Sequence, residues 1–382
     1  MNCRTYIAQS IAALAAIWSA GVLAADPVML PVSVNPASCN EIITQTIPWK
    51  NRQGQIVPTK VYFMFSHSGN AGSSVTLTSP RAGTHAVNLH IRTSTDLKTW
   101  SDSNVVFGTG SGQCPRPIWW TADPDYHPYW YVWAPSINYF NGQFYLYYSL
   151  APDWQDIAAR VDAHGKPLPI RRNTTSCIAL LTTKTLDPSS SDYQWVDRGA
   201  VIEVKGVDPH LVWKSPAEPY LLTSEVPIGV RPVDFQTGLL SSNQPVPVPA
   251  IAKRPGSVQE APCILKRGDW YYLFYAFGDY RKSDYCEWVG RSANYDGPYL
   301  DRNRIDLMKA GGTLFARSQS LNGINYAAVG HGSVFTDTDG RVYWVGQYYP
   351  GGDKTKGRHL WLSTIEFDKA GWPVCALTPP FP

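Results

Sequence analysis

The 382-residue sequence has no Cys-x-x-Cys pair and no Cys/His cluster, which excludes a zinc site of the ordinary kinds. Charge is sparse: Asp, Glu, Lys and Arg make up 16% of the residues, and the formal balance is only +3. A nucleic-acid binder concentrates basic residues on one face, so that class is excluded as well. Long apolar runs are missing except for one near the start, from Ile11 to about Leu23, and it is shorter than the ~20 residues a membrane span needs. No stretch holds a 3.6-residue apolar period beyond a turn or two before Gly or Pro interrupts it, which leaves little room for helices.

The early apolar run follows Arg4 and ends in small residues at Val22 and Ala24, the pattern of a secretory signal peptide cut after Ala24. Residues 1–24 are therefore expected to be removed. Residues 25–382 are expected to form a single exported domain, extracellular, or periplasmic if the source is bacterial. Cys3 precedes the apolar run, where a lipid-attachment cysteine would not sit. Export makes the remaining cysteines, Cys39, Cys114, Cys177, Cys263, Cys286 and Cys375, candidates for disulfides whose connectivity the sequence leaves open. The acceptor Asn173-Thr174-Thr175 would carry a glycan only in a eukaryotic secretory pathway.

What the chain has in quantity is Trp, Tyr, Gly and Pro, a composition that suits many short strands joined by tight turns. It also has an internal repeat. Five times a Pro- or Gly-marked apolar segment is followed by an aromatic strand: "TIPWK" then "KVYFMFS", "WAPSINYF" then "GQFYLYYSLA", "DPHLVW" then "PYLLTS", "EAPCIL" then "DWYYLFYAFG", and "GHGSVFT" then "GRVYWVGQYY". A third strand and a ragged fourth continue each unit. Antiparallel units of three or four strands, repeated five times, predict an all-β fold, a five-bladed β-propeller. A β-sandwich of this size would not explain why the segment that starts each unit carries the unusual residues.

The first strand of a propeller blade lines the central channel, so residues at one end of those strands converge. Asp208 in "VDPHLVW", Glu260 in "QEAPCIL" and His331 in "GHGSVF" open consecutive units and are expected to face one another across the axis. Trp133 and Ser136 of "WAPSI" open the second unit. Trp133 is a candidate sugar-stacking wall, and the aromatics of "WWTADPDYHPYW" are candidates to edge a cleft. Arg291 of "GRS" is read as structural.

Six motifs in order, "WAPSI", "VDPHLVW", "QEAPCILKRGDWYYLFYAFG", "GRSANYDGPY", "GHGSVFTDTDG" and the closing "GWPV", span nearly the whole mature chain and resemble glycoside hydrolase family 43. The resemblance implies a five-bladed propeller that cleaves arabinofuranosyl or xylosyl linkages of plant cell-wall polysaccharide with inversion. Glycosidic bonds break through an oxocarbenium-like transition state, and inversion uses one carboxylic acid on the leaving oxygen and one carboxylate on water, about 6.5–9.5 Å apart. Carried over, Glu260 matches the general acid, kept protonated by apolar neighbours, and Asp208 matches the acid that orients it and holds its pKa up. Ser136 stands where many relatives carry an acid. His331 matches a histidine that in many relatives coordinates a metal ion, often calcium, directly or through water near the channel centre, although no cofactor is required. The implied partner is a polysaccharide or oligosaccharide, with no nucleic acid or membrane, and the protein is expected to be a monomer.

The general base that the resemblance implies, an Asp-Pro opening the first inner strand, is missing. Ile47-Pro48 stands in the expected slot ahead of "KVYFMFS", and isoleucine cannot deprotonate water. Asp26 of "ADPVML", or Glu41 of "CNEIIT" as a displaced base, could supply the carboxylate. Otherwise the chain is a degenerate, carbohydrate-binding propeller. A sucrose- or fructan-acting relative of the same clan would need a first-blade nucleophilic Asp that is not found either.

Overall fold

The computed structural model describes residues 29–30, 38–67, 76–79, 83–86, 88–120, 129–152, 176–202, 206–224, 227–241, 250–321 and 323–375. The expected signal peptide, Asp26 and the Asn173 sequon lie outside the described residues. Five antiparallel sheets follow one another along the chain. The first blade runs Ser38–Lys50, Ile56–His67, Leu89–Ser94 and Ser101–Val105, and the second Tyr129–Phe140, Gln143–Pro152, Cys177–Thr183 and Val196–Ile202. His210–Ser215, Glu218–Thr223, Ile228–Pro232 and Ala250–Ala252 form the third, and Gln259–Arg267, Trp270–Phe277, Cys286–Ser292 and Thr313–Arg317 the fourth. The fifth uses Ile324–Thr336, Val342–Pro350 and His359–Phe367, and its outer edge is completed from the other end of the chain: Met29–Leu30 pairs with Leu362 and Ser363. This is the five-bladed propeller expected from the repeat. Among the described residues no helix is long and apolar enough to cross a membrane.

The unbroken aromatic runs of the second strands follow from burial on both faces. Side chains alternate across a strand with a period of two. In the first blade Val61, Phe63 and Phe65 pack toward the second blade, while Tyr62 and Met64 pack toward the fifth. In the fourth, Tyr272 and Phe274 meet the fifth blade, and Tyr271, Leu273 and Tyr275 meet the third. Each interface between neighbouring blades has its own apolar cluster, including the one that closes the ring, where Ile42, Tyr62 and Met64 meet Tyr343, Val345, Leu360 and Leu362. Fully burying one such side chain is worth about 1.5–3 kcal/mol, so the ring is held by hydrophobic packing between blades. A polar contact secures the same closing interface: Lys60 Nζ and Tyr62 Oη donate to the Asp337 carboxylate at 2.8 and 2.6 Å.

The structure forms no disulfide among Cys39, Cys114, Cys177, Cys263, Cys286 and Cys375, all of which are buried. The expectation of cross-links is not met in this structure: Cys114, Cys177, Cys263 and Cys375 pack as small apolar residues in the clusters between blades, Cys39 lines the axial cavity, and Cys286 Sγ accepts from Trp288 Nε1.

Candidate active site

One local device places the site residues. In or just ahead of every inner strand a residue takes up a left-handed backbone: Cys39 (φ 51°), Ala134 (φ 38°), Asp208 (φ 51°), Ala261 (φ 49°) and His331 (φ 51°), the last joined by Ala328 (φ 51°) in the same strand. The ladder register shifts at the same point in the first, second, fourth and fifth blades, between Ser38 and Glu41, Trp133 and Ser136, Glu260 and Cys263, and Gly330 and Ser333. These are β-bulges, which end regular pairing and re-aim side chains. Pro135 and Pro262 follow two of them, because a bulged residue needs no ladder N–H from its successor, and Pro209 follows Asp208 just ahead of the third inner strand. The repeated "AP", "DP" and "AP" of the sequence are therefore the signature of a left-handed residue at the channel mouth.

These backbone turns bring Asp208, Glu260 and His331 together. His331 stands between the two acids, with Nε2 3.8 Å from Asp208 Oδ1 and Nδ1 3.8 Å from Glu260 Oε2. The Asp208 carboxylate is braced from two sides: Ser224 Oγ and the Ala261 backbone N–H donate to Oδ2 at 2.8 and 3.0 Å. Since Ala261 follows Glu260 directly, Asp208 fixes the backbone that carries the other acid. Tyr285 Oη donates to Glu260 Oε2 at 2.7 Å. Glu260 is the more open of the pair, its side chain 24% exposed against 10% for Asp208. The Arg254 guanidinium is engaged elsewhere: it stacks 3.9 Å above the Trp288 ring and reaches the Ala310 carbonyl.

The three groups shift one another's proton affinities. Burial pushes the Asp208 carboxyl above its usual range; His331 opposes the rise and the Glu260 charge adds to it. Burial would likewise raise Glu260, but His331, the Tyr285 hydrogen bond and Arg358 outweigh it and hold this carboxyl below its usual value. Burial alone would lower His331, yet Cys39, Asp208 and Glu260 together drive it well above the ordinary imidazole range. The expectation that apolar neighbours keep Glu260 protonated is thus corrected. Its strand is apolar, but the carboxyl itself faces a cation and a phenol.

At His331 both ring nitrogens face carboxylates, and its raised proton affinity favours the form that has no lone pair for a cation. Among the described residues no group of three or more His, Cys, Asp or Glu side chains is placed to hold a metal ion. The donor set does not fit a directly ligated metal, which leaves the water-mediated contact open, and a protonated His331 would supply positive charge at this point of the channel.

Other expected positions fall elsewhere. Ser136 is fully buried, and its Oγ accepts from Asn138 Nδ2 at 3.2 Å. Trp133 is half-buried beside the second-blade bulge. Trp119 donates to Asp197 at 2.8 Å and Trp120 is buried against Phe107 and Tyr148, while residues 121–128 lie outside the described set. Arg291 is structural, as expected: Nη1 donates to the Ala370 carbonyl at 2.8 Å and the group stacks on Trp270 and Trp372.

The slot assigned to Ile47-Pro48 is also corrected. Ile47 pairs with Thr59 toward the far end of the first inner strand and is buried in the core between the first two blades. The channel end of that strand is Cys39-Asn40-Glu41, with Cys39 at the bulge. These three residues, with Asp208, His210 and His331, line a cavity on the axis. Sequence reasoning missed Cys39, Asn40 and Tyr285. The first two were legible in principle, since "CN" stands where the other blades have "AP", "DP" and "HG"; no local pattern announces Tyr285.

Residues 61–373 match the model of "Glycosyl hydrolases family 43". The chain is 32% identical over 305 residues to an extracellular exo-alpha-(1->5)-L-arabinofuranosidase of Cellvibrio japonicus, covering 74% of this chain and 79% of that protein. Among solved structures it resembles an alpha-L-arabinanase of Cellvibrio cellulosa complexed with arabinohexaose, with TM-score 0.66 and 25% identity over 89% of this chain and 95% of that one. It also resembles an exo-1,5-alpha-L-arabinanase from a bovine ruminal metagenomic library, with TM-score 0.62 and 27% identity over 82% of this chain and 92% of that one.

Proposed function

Because this chain belongs to glycosyl hydrolase family 43 and is thereby an O-glycosyl hydrolase, we propose that it is an exported enzyme that cleaves α-1,5-linked arabinofuranosyl units of arabinan with inversion. The observation that carries this is the cluster of Asp208, His331 and Glu260 at the channel mouth. Relatives named for arabinan or its oligosaccharides support the substrate class, and two of them are named extracellular.

In this mechanism Glu260 donates a proton to the leaving glycosidic oxygen. Its carboxyl is the most exposed of the three groups and so the first to meet a sugar entering the mouth. A bound furanose covers the remaining exposure, and the added desolvation favours the neutral acid that the step needs. Asp208 acts as a positioning residue: it holds the Ala261 N–H and, with Glu260, shares the imidazolium of His331. That cation keeps two close carboxylates from repelling each other apart and stabilises Glu260 once its proton has gone. General acid catalysis of this kind contributes about 100- to 10,000-fold.

A second reading, a carbohydrate-binding propeller without hydrolysis, is favoured by one observation: the first-blade bulge carries Cys39 in place of a carboxylate. Incubating the protein with arabinan, arabinoxylan, xylan and galactan separates the two. Sugars released from arabinan establish the hydrolase; measurable binding with no release from any of the four establishes the binding protein.

A further inference from the structure

Hydrolysis with inversion needs a second carboxylate, one that takes a proton from the attacking water. We propose that Glu41, two residues beyond the first-blade bulge, is that carboxylate, and that Asn40 holds the water for it. This rests on the hydrolase reading above.

Position comes first. Glu41 and Glu260 project from the first and fourth blades, which are not neighbours in the ring, so the two carboxylates approach the channel from different sides. The axial cavity is lined by two carboxylates, Glu41 and Asp208. Asp208 is committed to Ser224, Ala261 and His331. Glu41 is held differently: Oε2 accepts the Ile137 backbone N–H, and Oε1 lies 3.2 Å from His210 Nδ1. Two contacts fix the carboxylate plane and leave further lone pairs, since an ionised carboxylate has about four acceptor sites. Its side chain keeps 13% exposure, so it is not sealed from the channel.

The second observation concerns Asn40. Only 2% exposed, it lines the same cavity, and neither its amide nitrogen nor its oxygen has a hydrogen-bond partner in the structure. A buried amide left unpaired loses its hydration without compensation, so a cavity bordered by one is built for a polar occupant. The space is about 30 Å³, room for one or two water molecules. A second chamber of about 190 Å³ meets the first at Glu41, His210 and Ser333 and is bordered by Thr44, Asn138 and Thr336. Water can therefore reach Glu41 along the axis while a polysaccharide covers the mouth.

The step balances as a substitution. The water oxygen forms a bond to the anomeric carbon while its proton passes to a Glu41 oxygen. The glycosidic C–O bond breaks with its electron pair on the leaving oxygen, which takes the proton of Glu260. Glu41 ends protonated and Glu260 ionised, and exchange with solvent restores both.

The test uses Glu41→Gln and Glu41→Ala beside the wild-type protein, with α-1,5-linked arabinohexaose. Glu41→Gln lowers kcat about 100- to 10,000-fold while calorimetric binding of the hexaose stays within threefold. Sodium azide, which needs no base, restores turnover of Glu41→Ala and yields a glycosyl azide of inverted configuration. Turnover of Glu41→Gln within tenfold of wild type overturns the assignment, as does a Glu41→Ala variant that azide does not rescue. Wild-type protein that releases no sugar removes the hydrolase reading and this assignment together. An active wild type with an equally active Glu41→Gln removes this assignment alone.

Discussion

Tyr285 donates its phenolic hydrogen to Glu260 across 2.7 Å, from a ring held so tightly that a Cβ on Gly330 would come within 2.6 Å of it. The acid is thus tuned by a side chain just ahead of the third strand of its own blade, whose ring packs against Gly330 in the inner strand of the next. A donor to the charged form favours the carboxylate, and this is one reason Glu260 lies below its usual range.

Glu260→Gln removes the transferable proton and keeps the shape. We predict a fall in kcat on arabino-oligosaccharides of about 100- to 10,000-fold, with hexaose binding by calorimetry and the thermal midpoint close to wild type. Retained turnover would show that another group protonates the leaving oxygen.

The alkaline limb of kcat/KM reports loss of the proton on the acid. Both His331 and Tyr285 favour ionised Glu260, so removing either raises its pKa and lets the protonated form persist to higher pH. His331→Gln and Tyr285→Phe should both move the alkaline limb upward. A limb that stays put, or moves down, contradicts the electrostatic account.

Asp208→Asn replaces the charge that faces His331 and leaves a side-chain oxygen for Ser224 and Ala261. The His331 imidazole loses one of the groups that raise it. Its pKa, followed by NMR, should fall, and kcat should drop more than KM changes. An unchanged imidazole titration would show that Asp208 does not act through His331.

Asp337 links the first and fifth blades through Lys60 and Tyr62. Burial would raise its carboxyl, but these donors and the Thr338 N–H hold it below the usual range. A lowered acid contributes stability that is present above its unfolded value and lost as pH falls through its folded one. Asp337→Ala should therefore cost about 1–3 kcal/mol near neutral pH, and the gap from wild type should close at strongly acidic pH. A gap independent of pH would assign the loss to packing alone.

The blades were legible because the repeat is physical: every unit needs a mouth segment and a strand buried on both faces, and "FYLYYSLA" or "WYYLFYAFG" can satisfy only the second demand. The convergence of Asp208, Glu260 and His331 followed from that geometry. The first blade misled because its inner strand is long: Ser38–Lys50 puts Ile47-Pro48 near the far end and Cys39 at the bulge. Spacing measured backward from "KVYFMF" could not show this, since the hairpin joining the strands has no fixed length. Protonation was illegible for another reason. The partners that lower Glu260, Tyr285 and His331, are 25 and 71 residues away in sequence. The abundant aromatics were likewise ambiguous, and Trp120, Trp195, Trp344 and Trp361 prove to be buried between blades, where they stabilise the ring.

The central claim, that this channel hydrolyses arabinan with inversion through Glu260, is tested most directly by proton NMR of α-1,5-linked arabinohexaose during cleavage. The account predicts that the first anomeric signal to grow is the β-furanose, opposite to the bond broken, with the α-anomer appearing only by mutarotation. A first-formed α-anomer, or no released sugar, would contradict it.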